Sequence, residues 1–103
     1  MSEENKVGQK FDSDKPRYGL IPPLSLKTVA EVLTFGAKKY PPAEDGIDNW
    51  RKVKNGDDRY FDACQRHLWS WKEGEKTDKE TGFSHLTHAI CNIMFILEKS
   101  LEK

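Results

Sequence analysis

The sequence has no excess of charge of either sign: Lys plus Arg and Asp plus Glu each total 17 in 103 residues. Duplex nucleic acid and anionic membranes both call for a cationic surface, so neither is an expected partner. No apolar run approaches the ~20 residues that cross a bilayer, and the opening MSEENKVGQK carries no hydrophobic signal region. The expectation is a soluble, cytoplasmic protein. Cysteine is scarce: Cys64 and Cys91 lie far apart in helix-like patterns, which argues against a disulfide framework or a cysteine zinc site and predicts buried, reduced thiols. A glycine-rich phosphate loop, a catalytic serine elbow, a CxxC pair and HExxH are all absent. Apolar content is low as well. With 36% hydrophobic and 33% charged residues, a lone chain has a small core, and a homo-oligomer is expected.

What is present reads as one all-α domain over residues 1–103: a small helical bundle with a C-terminal antiparallel helix hairpin and an extended N-terminal arm. Residues 1–14 are polar and without period, predicting an irregular start. Lys15-Pro16-Arg17-Tyr18-Gly19-Leu20-Ile21-Pro22-Pro23 follows; its prolines favour extended geometry, with Leu20 and Ile21 as docking residues. Lys15, Arg17 and Tyr18 offer two cations and an aromatic face to a phosphate and a base. A helix is predicted from Pro23 to Tyr40, between two proline pairs, with Leu26, Val29, Ala30, Leu33, Ala37 and Tyr40 on its apolar stripe. Gly36 inside it marks close packing or close ligand approach. Lys38 and Lys39 suit the helix dipole or a phosphate.

Residues 41–57 read as a loop, in which Trp50 is either a core anchor or a stacking platform and Asn49 can read a base edge. A second helix is predicted from Asp57 or Asp58, as caps, to about Glu73, with Tyr60, Cys64, Leu68 and Trp71 in its stripe. Arg66 lies on another face, and His67 borders the buried side. A third helix is predicted over about Phe83 to Glu102.

The most informative stretch is Gly74 to Asn92, GEKTDKETGFSHLTHAICN. A carboxylate-rich turn (Glu75, Asp78, Glu80) leads into a helix on which His85, His88 and Asn92 share one face. Leu86, Ala89, Ile90, Ile93 and Leu97 share the opposite face, the one expected to be buried. If the turn reverses the chain, His67 meets His85 and His88 near its end. Such a cluster suits three roles. Carboxylates and water suit Mg²⁺, whereas imidazoles suit zinc or another transition metal. Histidines with Arg66 and the lysines can instead bind phosphate directly. The cluster can also simply cross-link helices.

Across residues 15 to 98 the chain resembles the N-terminal domain of phage dATP/dGTP diphosphohydrolases. The resemblance is carried by Lys15-Pro16-Arg17-Tyr18 with Leu20-Ile21-Pro22-Pro23, Phe35-Gly36-Ala37-Lys38-Lys39-Tyr40, Asn49-Trp50 and Arg59-Tyr60. It continues through Arg66-His67-Leu68, Gly74-Glu75, Asp78, Glu80-Thr81-Gly82, His85-Leu86-x-His88 and Asn92. The resemblance implies an all-α fold related to MazG-like pyrophosphohydrolases, acting in the cytoplasm of an infected bacterial host. It also implies hydrolysis of a purine deoxynucleoside triphosphate to monophosphate and pyrophosphate by a metal-activated water.

On that footing Glu75, Asp78, Glu80 and His88 are the catalytic candidates, the three carboxylates holding Mg²⁺ or Mn²⁺, with zinc as an alternative. Lys15, Arg17, Tyr18, Lys38, Lys39, Asn49, Trp50, Arg66, His67, His85 and Asn92 are the ligand-binding candidates. One departure stands out: MazG-like enzymes carry a helical EExxE, which this chain lacks, while Glu75-Lys76-Thr77-Asp78 spells ExxD in a predicted turn. That departure supports a second expectation, a protein that sequesters a nucleotide or a nucleotide second messenger of host antiviral signalling without hydrolysing it.

Overall fold

In the computed structural model, residues 7–102 are described; the part of the irregular start formed by residues 1–6 lies outside them. The described residues form three helices and no strand, an all-α bundle: α1 (Pro23–Lys39), α2 (Gly56–Lys72) and α3 (His85–Leu101). Short 3₁₀ turns cover Tyr18–Leu20 and Asn49–Lys52. Prolines set the start of α1, where a missing N–H costs nothing and φ is already helical. The helix ends one residue before its expected limit, at Tyr40, followed by Pro41 and Pro42.

Helix α2 starts earlier than predicted. Its N-cap is Asn55, in the left-handed region at φ 56° with no side-chain cap, so Asp57 and Asp58 lie inside the first turn, where they face the helix dipole. Its other end is a Schellman stop. Gly74 takes φ 113°, its N–H donates to the Trp71 carbonyl at 3.1 Å, and the Glu75 N–H donates to the Ser70 carbonyl at 3.0 Å.

The segment between α2 and α3 is bonded throughout. Thr77 and Ser84 form an isolated antiparallel bridge. Inside it the Asp78 N–H donates to the Phe83 carbonyl at 2.8 Å, and Gly82, at φ 78°, donates to the Asp78 carbonyl at 2.7 Å. Ser84 then caps α3 by accepting from the Leu86 N–H at 3.1 Å. The chain thereby reverses, and α3 packs antiparallel on α2: Tyr60 meets Phe95 at one end and His67 meets His85 and His88 at the other.

Helix α1 packs on another side of α3. Val29 and Val32 enclose Cys91, with Leu33 and Phe83 at the edge, and the Thr28 and Thr87 hydroxyls bond at 2.5 Å. The stripe expected on α1 is therefore rotated. Val32, outside it, is buried, while Leu26, Ala30, Ala37 and Tyr40 are exposed. Gly36 has nothing within 4 Å of where a Cβ would stand, so it is not a close-packing position.

Of the face expected to be buried on α3 only Ala89 is, and the histidine side turns inward. His85, Thr87, Ala89 and Cys91 are buried, whereas Ile90, Ile93 and Leu97 are 44%, 42% and 52% exposed. Contact with α1 and α2 takes up the arc holding Thr87, Cys91 and the histidines, which leaves the Leu86–Ile90–Ile93–Leu97 arc exposed. Both cysteines are buried and free, as the spacing predicted. The N-terminal arm does not dock: Leu20 and Ile21 are exposed, and Tyr18 is 79% exposed.

Candidate functional site

Three segments meet at the turn end of the α2–α3 pair. His67 comes from the middle of α2, Asp78 from the bridged loop, and His85 from the first residue of α3. Each offers one ligand-type atom, all within 4.8 Å of one another. His67 Nδ1 lies 2.8 Å from His85 Nδ1, and His85 Nε2 lies 2.8 Å from Glu75 Oε1. A carboxylate only accepts, so His85 carries its proton on Nε2 and presents a bare Nδ1 that accepts from the N–H of His67. The His88 ring stacks on His67 at 4.7 Å between centroids and 13° between planes.

Asp78 is held by its own loop. Its Oδ2 accepts from the Thr81 N–H at 3.0 Å and the Thr81 hydroxyl at 3.1 Å. With the hydroxyl proton committed to Asp78, His88 Nε2, at 2.7 Å, donates to Thr81 Oγ1. Burial is the largest influence on all three titrating groups. It lowers the pKa values of His67 and His88, which nearby Asp78 partly raises again. For Asp78, burial raises the pKa, but the Thr81 hydrogen bonds and the two imidazoles outweigh it and leave the carboxyl below its ordinary value. His67 and His88 are therefore neutral beside an ionised Asp78 at neutral pH.

From His88 the site opens into a cleft of about 960 Å³ between α1, the Asn49–Lys52 turn and the α2–α3 pair. Its lining brings together Asn49, Trp50, His88 and Asn92 of the sequence candidates. It adds Arg51 and Arg59, which sequence reasoning missed. The only sequence signal for Arg51 was its place beside a tryptophan in a polar loop, and Arg59 had none beyond its pairing with Tyr60 in the resemblance. Gly36 also lines the cleft, on its open side. Trp50 stacks on Phe95 at 4.6 Å and 12°, and the Arg51 guanidinium carbon lies over its ring at 4.3 Å. Phe95 and Arg51 together hold the indole in place. Tyr60 Oη donates to the Trp50 carbonyl at 3.0 Å, which fixes the turn. Trp50 thus serves as an anchor while still lining the cleft.

The remaining candidates stand apart. Glu80 is at the surface, its side chain 63% exposed and paired with Lys39. Glu75 serves His85 and lies 3.9 Å from Lys79. Glu75, Asp78 and Glu80 do not come within ligand distance of one another; among the described residues only His67, Asp78 and His85 do. Glu75 and Asp78 of the ExxD string lie in the loop after α2, not on a helix. Lys15, Arg17, Tyr18, Lys38 and Arg66 are exposed and do not line the cleft.

Comparison with known proteins agrees with the resemblance. The family model described as dATP/dGTP diphosphohydrolase, N-terminal, matches residues 5–103. The chain is 38% identical over 90 residues to a dATP/dGTP diphosphohydrolase of Salmonella phage PMBT28. The match covers 87% of this chain but only 29% of that protein, so the chain spans less than a third of its relative. No solved structure matches. Among the described residues no helix is long and apolar enough to cross a membrane. The chain belongs to the family of dATP/dGTP diphosphohydrolase N-terminal regions.

Proposed function

We propose that the chain binds a purine deoxynucleoside triphosphate in the cleft beside His88 and hydrolyses it to the monophosphate and pyrophosphate, in the cytoplasm of a phage-infected bacterium. One observation carries this reading: the cleft joins a wall of two guanidiniums and two amides (Arg51, Arg59, Asn49, Asn92), with the carboxylates of Asp48 and Glu98 beside them, to the His67–Asp78–His85 cluster through His88. The relative's name supplies the substrate class. Arg59, together with Arg51 when the phosphates draw it from its 2.6 Å pairing with Glu102, attracts the triphosphate, the amides of Asn49 and Asn92 offer paired hydrogen bonds to a purine edge, and Val32 and Phe95 give the cleft an apolar floor. His88, kept neutral by burial, can accept the proton of a water attacking phosphorus.

A Mg²⁺ or Mn²⁺ ion, as the family implies, activates water and neutralises phosphate charge when bound. A carboxylate cage of Glu75, Asp78 and Glu80 does not fit such an ion here, because the three groups are dispersed and Glu80 is paired with Lys39. That dispersal favours a second reading, a pocket that sequesters a nucleotide or nucleotide second messenger without turnover. Protein pre-incubated with dATP or dGTP and then denatured separates the two: released monophosphate supports hydrolysis, and intact triphosphate recovered at one per site supports sequestration.

Self-association belongs to the same proposal, with a second copy of this chain on the Leu86–Ile90–Ile93–Leu97 arc of α3. Leu86, Ile90, Ile93 and Leu97 are 37%, 44%, 42% and 52% exposed, an apolar row that a second copy would cover.

A further inference from the structure

The carboxylate cage fails on position, yet a different set of ligands converges a few ångströms away. We propose that His67, His85 and Asp78 form a binding site for one late first-row divalent transition ion of the zinc type, with Glu75 as the outer carboxylate that orients His85.

Four observations support the site. First, the three donors come from three separate segments, α2, the bridged loop and the start of α3, and still place one ligand atom each within 4.8 Å of the others. An ion there ties the turn to both helices. Second, the His85 ring is already arranged as a metal-binding histidine. Its outer nitrogen is held 2.8 Å from the Glu75 carboxylate, which fixes the proton on Nε2 and leaves the Nδ1 lone pair facing the cluster. Carboxylate–histidine pairs of this kind set ring orientation and raise ligand basicity at zinc centres. His85 is 3% exposed, so that pairing is built into the fold.

Third, Asp78 is oriented without being used up. Its side-chain hydrogen bonds among the described residues fall on Oδ2, from the Thr81 N–H and hydroxyl. Oδ1 remains for an ion. Fourth, in the 2.8 Å contact between His67 Nδ1 and His85 Nδ1 the proton donated by His67 stands where a cation would. Two nitrogen ligands of a tetrahedral ion at ~2.0–2.1 Å lie about 3.3 Å apart, so the rings part by about half an ångström. His67, only half-buried, can supply that movement.

Donor chemistry selects the ion. Mg²⁺ seeks oxygen ligands and keeps its waters, and this set offers one carboxylate; two imidazoles favour zinc, cobalt and their neighbours. Three protein ligands leave a coordination position open, as at catalytic rather than structural zinc centres. This site does not depend on the nucleotide reading, since an ion can bind whether or not a nucleotide is turned over.

The test is a titration of chelator-stripped full chain with Co²⁺, followed by visible absorption and by calorimetry. The expected result is one Co²⁺ per chain with the d–d bands of a low-coordinate ion, displaced by Zn²⁺, and a raised melting temperature in the presence of either metal. H67Q and D78N, which leave the buried His85 in place, should abolish the bands while circular dichroism stays helical. E75Q should weaken affinity about 10–100-fold, and E80Q should leave it unchanged. Absence of the bands in the stripped wild type overturns the proposal. So does binding that survives H67Q but is lost in E80Q, which would restore the three-carboxylate cage.

Discussion

His67 on α2 and His85 on α3 place their Nδ1 atoms 2.8 Å apart, and because Glu75 holds the other nitrogen of His85, the proton between them belongs to His67. Removing His85 therefore strands two polar partners at once. For H85A in metal-free protein we expect a loss of about 1–3 kcal/mol, the cost of leaving a buried hydrogen-bonding group unpaired. In a domain of this size each kcal/mol is worth roughly 4–8 °C in Tm. Thermal unfolding by circular dichroism checks this, and an unchanged Tm would show that the pair contributes nothing.

Acidification should destabilise the metal-free chain. The pKa values of His67 and His88 are lowered, mainly by burial. The unfolded chain takes up those protons as pH falls through about 6.5, while the folded chain resists until lower pH. Their contribution is thus complete above ~6.5 and declines below it. Asp78, also held below its usual pKa, contributes above about 3.9 and loses that contribution at lower pH. Urea midpoints measured at pH 7.5, 6.0 and 5.0 should fall in that order, and a midpoint that rises on acidification contradicts the assignment.

At the alkaline end the sign comes from Cys91, whose thiol burial raises to about 11. The unfolded thiol ionises near 8.5, so stability is full below that pH and is lost as pH rises toward 11. The same burial shields it from reagents. In native protein at pH 8, Cys91 and Cys64, both buried and free, should react slowly with a thiol reagent and rapidly in urea.

The outer arc of α3 predicts association. Wild-type protein should elute as a dimer or larger species by light scattering, and I93E or L97E should shift it toward monomer while helicity is retained. A monomeric wild type at high micromolar concentration removes the second copy from the account.

How much could be seen in the sequence differs by feature. The limits of α1 and the stop of α2 were legible because their causes are local: prolines begin α1 and follow it, and Gly74 can take the positive φ that stops α2. Which face of α3 turns inward was not legible. Hydropathy credits Ile90, Ile93 and Leu97, whereas the neighbours in the chain are met by His85, Thr87 and Cys91, which pack through hydrogen bonds and a small thiol. The site was half legible. The meeting of His67 with His85 and His88 follows from chain reversal, but the exclusion of Glu80 depends on its pairing with Lys39, 41 residues away. The selection of Asp78 depends on the Thr81 hydrogen bonds of a tightly bonded loop. Arg51 and Arg59 reach the cleft through tertiary placement, and no spacing rule foretells that.

Hydrolysis at the α-phosphorus of a purine deoxynucleotide is tested by incubating the chain with dGTP or dATP in ¹⁸O-labelled water and analysing the products by mass spectrometry. With Mn²⁺ or Zn²⁺ present, the account predicts dGMP or dAMP carrying one ¹⁸O, in equal amount with unlabelled pyrophosphate. Intact triphosphate throughout, or label appearing in inorganic phosphate beside a nucleoside diphosphate, would contradict it.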